Sequence, residues 1–159
     1  MHSFADKSLP ELMAMFAALN EELRTRKVVR SANNPTGDLA EYLFCRAFGW
    51  QQEPNSAKGF DATDENGIRY QIKARRIHSR NKSRQMSAIR DLEGFDVLAA
   101  VLFDDDYRVL RAALVPIGIV SGNVRFSKHT NSNLFMLREQ IWNEEGVVDV
   151  TERLKKVMS

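Results

Sequence analysis

The sequence predicts an α/β domain in which helices flank a central mixed β-sheet. Three observations indicate this fold class. Apolar residues recur at helical spacing before residue 49, apolar and polar residues alternate over residues 68–75, and residues 95–103 are almost wholly apolar. A chain of 159 residues suits one domain with one core, and it contains no repeats and no linker. We therefore expect a single domain over residues 1–159.

The composition is that of an ordinary globular protein, with 43% hydrophobic and 28% charged residues. No apolar run is long enough to span a bilayer, and residues 1–6 lack an apolar signal region. The single cysteine, Cys45, excludes an internal disulfide and a zinc site built from several cysteines. These features predict a cytoplasmic protein with no membrane partner. On its predicted helix, Cys45 is interpreted as a small buried apolar side chain rather than a nucleophile.

The first helix is predicted from its N-terminal cap. Ser8 and Glu11 have the spacing of a capping box, and Pro10 lies in the first turn. The helix is expected to run to about Lys27. An apolar stripe follows at helical spacing: Leu9, Leu12, Phe16, Leu19 and Leu23. Core packing is the favoured interpretation of this stripe, and a dimer contact is the alternative.

A second helix is predicted to begin near Pro35 or Thr36 and to end before Gly49. Within it, Glu41 falls on the border of the apolar face. A carboxylate at that border can point along the edge of the sheet into a site. The alternative is a glutamate favoured near the N-terminus by the helix dipole. The sequence leaves both interpretations open.

A β-hairpin is predicted next. Residues 60–62 and 68–75 are expected to form its strands, and residues 64–67, Asp-Glu-Asn-Gly, form its turn. Asn-Gly favours such a turn because both residues accept positive φ.

Side chains alternate between the two faces of each hairpin strand. One face is apolar and is assigned to the core, with Phe60, Ala62, Ile68, Tyr70, Ile72 and Ala74. Asp61, Gln71 and Lys73 must then converge on the opposite face. A carboxylate beside a lysine in a polar site suits metal-assisted phosphodiester cleavage.

A basic segment leaves the hairpin. The net charge is only +2, but residues 73–90 carry seven basic side chains and no acid occurs before Asp91. We interpret the segment as a loop, either simply solvated or in contact with nucleic-acid phosphates. Phosphate contact is favoured because the segment adjoins Asp61 and Lys73. The residues assigned to it are Arg75, Arg76, Arg80, Lys82 and Arg84.

Residues 95–103 are expected to form a central strand buried on both faces. Asp104, Asp105 and Asp106 then form a solvated turn rather than a metal site, and residues 107–115 form the returning strand. Pro116 opens a short helix that ends by residue 123. Residues 131–133 are predicted as a loop, residues 134–137 as a strand or the start of a helix, and residues 151–157 as a last helix.

The spacing of Asp61, nine intervening residues and then Gln71-x-Lys73 resembles the motif of the PD-(D/E)xK, or restriction-endonuclease-like, nuclease superfamily. An upstream helix that carries Glu41 also fits this family. The resemblance covers about residues 36–115, the expected core of the domain. The sequence departs from the motif at two positions: Phe60 replaces the usual proline, and Gln71 replaces the acidic residue before the lysine.

The resemblance implies a restriction-endonuclease-like fold and a metal-dependent DNA endonuclease of the restriction or repair type. The implied catalytic residues are Asp61, Gln71, Lys73 and Glu41. The implied cofactor is Mg²⁺ or Mn²⁺, held by Asp61, the backbone carbonyl of Ile72, Glu41 and Gln71. Lys73 is expected to orient the attacking water and to stabilise the negative charge of the transition state. The expected partner is double-stranded DNA, and cutting both strands with one site per chain favours a homodimer.

A second class of function stays open, a nucleic-acid-binding module that retains the nuclease fold without activity. Gln71 keeps it open, because an amide is a weaker ligand for a hard cation than a carboxylate. Rival metal sites fail on spacing, since the chain has neither an EF-hand pattern nor paired histidines. No glycine-rich nucleotide-binding motif is present either.

Overall fold

A six-stranded mixed sheet forms the centre of the molecule. The computed structural model describes residues 3–30, 34–54 and 59–159. The strands are β1 Gln51–Gln52, β2 Ala62–Thr63, β3 Arg69–Arg76, β4 Gln85–Ile89, β5 Val97–Phe103, β6 Val109–Pro116, β7 Val124–Ser127, β8 Ser132–Met136 and β9 Val148–Asp149. The helices are α1 Leu9–Thr25, α2 Thr36–Phe48, α3 Ile117–Ser121 and α4 Thr151–Met158, with a 3-10 helix at Glu139–Asn143.

The strand order of the main sheet is β1-β2-β3-β5-β6-β9, and a second sheet has the order β4-β8-β7. Within the main sheet β3 and β5 are parallel, with Tyr70 opposite Val97, and the other neighbours are antiparallel. The predicted α/β class and the central position of the strand in residues 95–103 are therefore confirmed. No helix in the described ranges is long and apolar enough to cross a membrane.

The main sheet is covered on both faces, so the chain has two apolar clusters where one core was expected. On one face, α2 packs against β3 and α4 packs against β6, and their apolar side chains form one cluster with Ala99, Val101 and Phe103 of β5. On the other face, the alternate residues of β5 pack against the small sheet and its surroundings: Leu98, Ala100, Leu102, Met86 and Phe135. A strand with apolar side chains on both sides needs such cover, because either face would otherwise expose it to water.

The predicted helix caps and the hairpin turn are confirmed. Ser8 and Glu11 form a capping box at the start of α1, and α2 ends at Gly49 with φ 68°. In the hairpin turn, Asp64 Oδ1 accepts hydrogen bonds from the backbone N–H groups of Asn66 and Ile68, and Gly67 adopts φ 78°. These elements depend on local chemistry, which explains why the sequence predicts them.

The core-packing interpretation of α1 is wrong. The helix has no buried residue, and Leu9, Phe16 and Leu19 are 71%, 59% and 60% exposed. Its apolar side instead borders an open groove of about 940 Å³ that α2 and the end of α4 complete. Helical periodicity predicts that a helix has an apolar face, but it does not predict what covers that face.

Two parts of the strand assignment also differ from the prediction. The basic segment contains β4, because Met86 and Ile89 are fully buried and β4 pairs with β8. Residues 132–133, expected in a loop, belong to β8. Flanking charges mask the short apolar pattern of β4, and residues 132–133 are polar, so neither segment shows its burial in the second sheet, which is a long-range effect.

The apolar row of the hairpin is less regular than expected. Ala62 lies in the cluster under α2, whereas Phe60 packs against the opposite cluster. Ile68 is 36% exposed. Both residues lie outside the paired parts of β2 and β3, so strand alternation does not govern their side chains.

Candidate functional site

Asp61 lies immediately before β2 and reaches over β3. Its backbone N–H donates to the carbonyl of Tyr70 at 2.8 Å. Its Oδ2 accepts a hydrogen bond from the backbone N–H of Ile72 at 2.7 Å. The carboxylate therefore lies beside the strand residue that separates Gln71 from Lys73.

A close backbone contact precedes Asp61. Gly59 adopts φ 84°, and a Cβ added to Gly94 would lie 2.9 Å from the Gly59 Cα. Both positions therefore need glycine, the first for its conformation as well as its space. This contact sets the path by which the chain enters β2, and no local sequence pattern predicts it.

Gln71 and Lys73 lie on the face of β3 opposite Tyr70 and Ile72, which are buried under α2. The side-chain oxygen of Gln71 is buried and has no hydrogen-bond partner among the described residues. Burial lowers the pKa of Lys73, and the negative charge of Asp61 opposes this shift. The site is thus more enclosed than a hairpin with one wet face would be.

The backbone of Ile72 offers an oxygen at the same place. The N–H and C=O groups of one strand residue point towards the same neighbouring strand. Since the Ile72 N–H bonds to Asp61, the Ile72 carbonyl also lies on the β2 side of β3. The Ile72 carbonyl and the Asp61 carboxylate therefore lie on the same edge of β3.

Glu41 approaches this edge from α2. Burial raises its pKa, and the negative charge of Asp61 raises it further, while hydrogen bonds from Gln52 and Arg30 oppose the shift. Glu41 also interacts electrostatically with Lys73. Its side chain is only 17% exposed, and it lies beyond the first turn, where Asp38 is the acidic residue. The helix-dipole interpretation therefore does not account for Glu41.

The electrostatic surroundings of Asp61 oppose its ionisation on balance. Burial raises the pKa of Asp61, whereas the Ile72 N–H and the charges of Lys73 and Arg30 lower it. Two carboxyl groups with raised pKa values beside a lysine with a lowered one form a cluster of the kind that marks functional sites. Cys45 lies near this cluster, but burial raises its pKa to about 11, so its thiol stays protonated at neutral pH.

Three further residues contact or act on the site, and none of them was predicted from the sequence as a site residue. The Arg30 guanidinium donates to Glu41 Oε2 at 2.8 Å, and the Gln52 side chain donates to the same oxygen at 2.6 Å. Arg90, just after β4, contributes to lowering the pKa of Lys73. Arg30 precedes α2 outside any motif and Gln52 lies on a two-residue strand, so no local pattern distinguished them.

The site offers few negatively charged ligands for a cation. Within the described ranges, no three His, Cys, Asp or Glu side chains are grouped so that they could hold a metal ion. The site offers two carboxylates, Glu41 and Asp61, together with the Gln71 amide oxygen and the Ile72 carbonyl. All four are oxygen donors, which suits Mg²⁺ or Mn²⁺. The orphaned, buried oxygen of Gln71 fits a ligand that the protein itself does not supply.

The basic residues assigned to phosphate contact fall into two groups. Arg76 donates from Nε to the Asp105 carbonyl at 3.0 Å, and its guanidinium lies 5.0 Å from the centre of the Tyr107 ring. Arg84 forms an ion pair with Glu139 at 2.9 Å. By contrast, Arg75, Arg80 and Lys82 have no ion-pair partner in the part of the chain that the structure describes. The side chains of this second group are therefore held neither by an ion pair nor by a ring contact within the described ranges.

No protein-family model matches this sequence, and no curated protein is significantly similar to it.

Proposed function

We propose that this protein is a metal-dependent endonuclease that hydrolyses phosphodiester bonds in DNA, with a fold of the restriction-endonuclease-like type. One observation carries the proposal. The Asp61 carboxylate is bonded to the Ile72 N–H, between Gln71 and Lys73, and Glu41 is coupled to it electrostatically from α2. This observation supports the proposal because the bonded and charged groups belong to the residues that the motif implies.

The arrangement of the strands supports the fold assignment. The antiparallel series β1, β2 and β3 follows α2, and β3 then pairs in parallel with β5. The pairing of β2 with β3 ends where Ala62 lies opposite Tyr70, so Gln71 and Lys73 follow the last residue of β3 that pairs with β2 in the described part of the chain. A substrate can approach a strand edge of this kind, whereas the interior of the sheet is closed to it.

The donor set supports a hard divalent cation as cofactor. When bound, Mg²⁺ or Mn²⁺ would relieve charge on the attacked phosphate and lower the pKa of a water ligand. Asp61, Glu41, Gln71 and the Ile72 carbonyl would hold it. The buried Gln71 oxygen is the clearest reason to expect such a ligand, because a buried acceptor without a partner costs free energy.

Lys73 has the position and environment of a group that acts on charge in the transition state. It lies on the same face of β3 as Gln71, and it is electrostatically coupled to both Asp61 and Glu41. In a partly buried site its ammonium would attract the phosphate oxygens and orient the attacking water. The negative charges of Asp61 and Glu41 oppose the lowering of the Lys73 pKa by burial.

Double-stranded DNA is the proposed substrate, and Arg75, Arg80 and Lys82 are the proposed phosphate contacts. They follow the catalytic lysine and have no ion-pair partner among the described residues. A homodimer is proposed for cleavage of both strands, since each chain supplies one site.

A second function is favoured by the balance of charge. The charges of Glu41 and Asp61 are matched by those of Arg30 and Lys73, and Arg90 adds a further positive charge near Lys73, so the site has no net negative charge where a divalent cation should bind. A nucleic-acid-binding module that retains the fold without activity would have the same features. The two functions differ in whether nucleic acid is cut.

The deciding experiment is incubation of supercoiled plasmid with the protein and either Mg²⁺ or Mn²⁺. The wild type should nick or linearise the plasmid, and Asp61→Ala and Lys73→Ala should abolish cleavage. Lys73→Ala should still bind DNA nearly as well as the wild type, because the lysine acts mainly in the transition state. Lys156→Ala removes an exposed lysine from α4 and serves as the matched control. Absence of cleavage with both metals, together with unchanged DNA binding by Asp61→Ala, would favour the binding module.

A further inference from the structure

Arg30 is fixed at its backbone and carries a partly exposed charge at its tip. Its backbone N–H donates to Asp38 Oδ2 at 2.9 Å, which anchors it to the start of α2. Its guanidinium donates to Glu41 Oε2 at 2.8 Å and to the Glu53 carbonyl at 3.4 Å. The side chain is 32% exposed, so its charged end can reach solvent without moving the backbone.

The two hydrogen-bond donors of Glu41 share one oxygen. Arg30 and Gln52 both bind Oε2. No described residue donates to Oε1. A cation that used Glu41 would therefore lie beside a guanidinium that already neutralises the carboxylate.

The charge of Arg30 extends beyond Glu41. It also acts on Asp61, the other carboxylate of the site. A divalent cation near these two groups is repelled by Arg30 and Lys73 together. Lys73 lies on β3 within the site, whereas Arg30 reaches Glu41 from outside the sheet, so Arg30 is the positive group that can leave.

We propose that Arg30 is an exchangeable counter-ion of this site: its guanidinium pairs with Glu41 when no cation is bound, yields to a divalent cation, and then binds a phosphate of the nucleic acid. This inference rests on the proposed function. A planar guanidinium suits the change of partner because it matches carboxylate and phosphate oxygens equally well.

The exchange makes cation and nucleic acid cooperate. A cation releases Arg30 to bind phosphate, and a phosphate that holds Arg30 removes a repulsive charge from the cation. Each ligand must then raise the affinity of the other by the same factor. Cleavage chemistry is thereby confined to the complex that contains both.

The test measures Mn²⁺ affinity by electron paramagnetic resonance, with and without a short phosphorothioate DNA duplex that resists hydrolysis. In the absence of DNA, the Arg30→Gln variant should bind Mn²⁺ about tenfold more tightly than the wild type, because one repulsive charge is gone. The duplex should raise the affinity of the wild type about tenfold and that of Arg30→Gln by less than about threefold.

Arg30→Lys keeps the charge, and its Mn²⁺ affinity should stay within about threefold of that of the wild type. Arg46→Gln removes an exposed charge from α2 and is the matched control, and circular dichroism verifies the fold of each variant.

The outcomes separate this inference from the proposed function. If Asp61→Asn abolishes Mn²⁺ binding but Arg30→Gln behaves like Arg46→Gln, the metal site stands and the counter-ion role is overturned. Weaker Mn²⁺ binding by Arg30→Gln overturns it as well, since Arg30 would then serve only to orient Glu41. If the wild type binds no Mn²⁺ with or without DNA, the proposed function and this inference both fail.

Discussion

Two carboxyl groups, Glu41 and Asp61, are held away from water at the edge of β3, beside a lysine that is also partly buried. Each group would be more stable as an ion in water, so their burial reduces the stability of the fold. Function is the usual reason for such a cost, because an active site needs charges that a stable core would exclude. The cost of burial is open to measurement at single residues.

Asp61→Asn should make the metal-free protein more stable at neutral pH. Burial raises the pKa of Asp61 above its usual value of 3.8. In the window between pH 3.8 and this raised pKa, the folded chain therefore binds more protons than the unfolded chain. Wild-type stability therefore falls as pH rises through the window, whereas the asparagine variant lacks this loss. Thermal unfolding at pH 7 should show a higher Tm for the variant, by about 2–4 °C for each kcal/mol, and the difference should vanish below pH 3.8.

Asp64→Asn is the control of opposite sign. Burial acts to raise the pKa of Asp64, but hydrogen bonds from Ile68, Tyr70 and Asn66 outweigh it and hold the pKa below its usual value. Its ionised form therefore stabilises the fold at neutral pH, and the variant should lose stability. A lower Tm for Asp61→Asn at pH 7 would contradict the claim that the buried charge is costly.

Gln71→Glu should tighten cation binding while weakening the metal-free fold. The amide oxygen is buried without a partner among the described residues, so a carboxylate there adds a third buried negative charge to Glu41 and Asp61. A bound cation compensates for that charge, and Mn²⁺ affinity should rise about tenfold. The wild type should bind Mn²⁺ more tightly than Mg²⁺, because Mn²⁺ tolerates weaker ligands and a less regular geometry.

Calorimetric titration with each metal measures this affinity, and Tm without metal measures the cost of the added charge. Gln140→Glu adds the same charge at an exposed position of the 3-10 helix and should change neither quantity appreciably. Equal changes in both variants would show that the Gln71 oxygen does not face the cation.

Among the elements, α1 differs from the other long helices because its apolar side is uncovered. α2 buries Leu43 and Phe44 against β3, and α4 buries Leu154 against β6. α1 buries none of its residues, although its capping box is complete. Its stability in the described structure therefore comes from local interactions more than from packing.

Substitutions on α1 should have little effect on the free energy of unfolding. Phe16→Ser and Leu19→Ser remove side chains that are already largely exposed, so each should change stability by less than about 1 kcal/mol. Leu43→Ala, in the fully buried part of α2, should cost about 2–5 kcal/mol. Urea unfolding measures all three. A loss for Phe16→Ser as large as that for Leu43→Ala would mean that another surface covers α1 in solution.

At the scale of the whole molecule, a small net charge of +2 conceals an uneven distribution. Arg76 and Arg84 have partners within the protein, at Asp105 and Glu139. The remaining basic residues after Lys73 give the proposed catalytic edge a local positive charge.

Neutralising Arg75, Arg80 and Lys82 together should reduce the salt dependence of DNA binding. Each phosphate contact contributes about one unit to the slope of log affinity against log salt, so the triple glutamine variant should lose about three units. Fluorescence anisotropy with a labelled duplex at several salt concentrations measures the slope. Lys155→Gln with Lys156→Gln on α4 is the control. An unchanged slope in the triple variant would mean that the segment is only solvated.

The sequence by itself determined the features that depend on neighbouring residues. The caps of α1 and α2, the hairpin turn and the central strand β5 follow from local chemistry and from side-chain periodicity. Strand alternation also predicts that Gln71 and Lys73 share one face of β3. These interactions operate over a few residues, so a single sequence carries them.

Only the tertiary structure decided what covers each face and what surrounds each charge. The cluster against the small sheet, the uncovered side of α1 and the bonds of Arg30 and Gln52 to Glu41 join segments that no local pattern connects. Burial then shifts the pKa values of Glu41, Asp61 and Lys73. The physical reason is that desolvation and long-range charge depend on which segments meet in space, whereas helix caps, turns and strand alternation depend on residues adjacent in the chain.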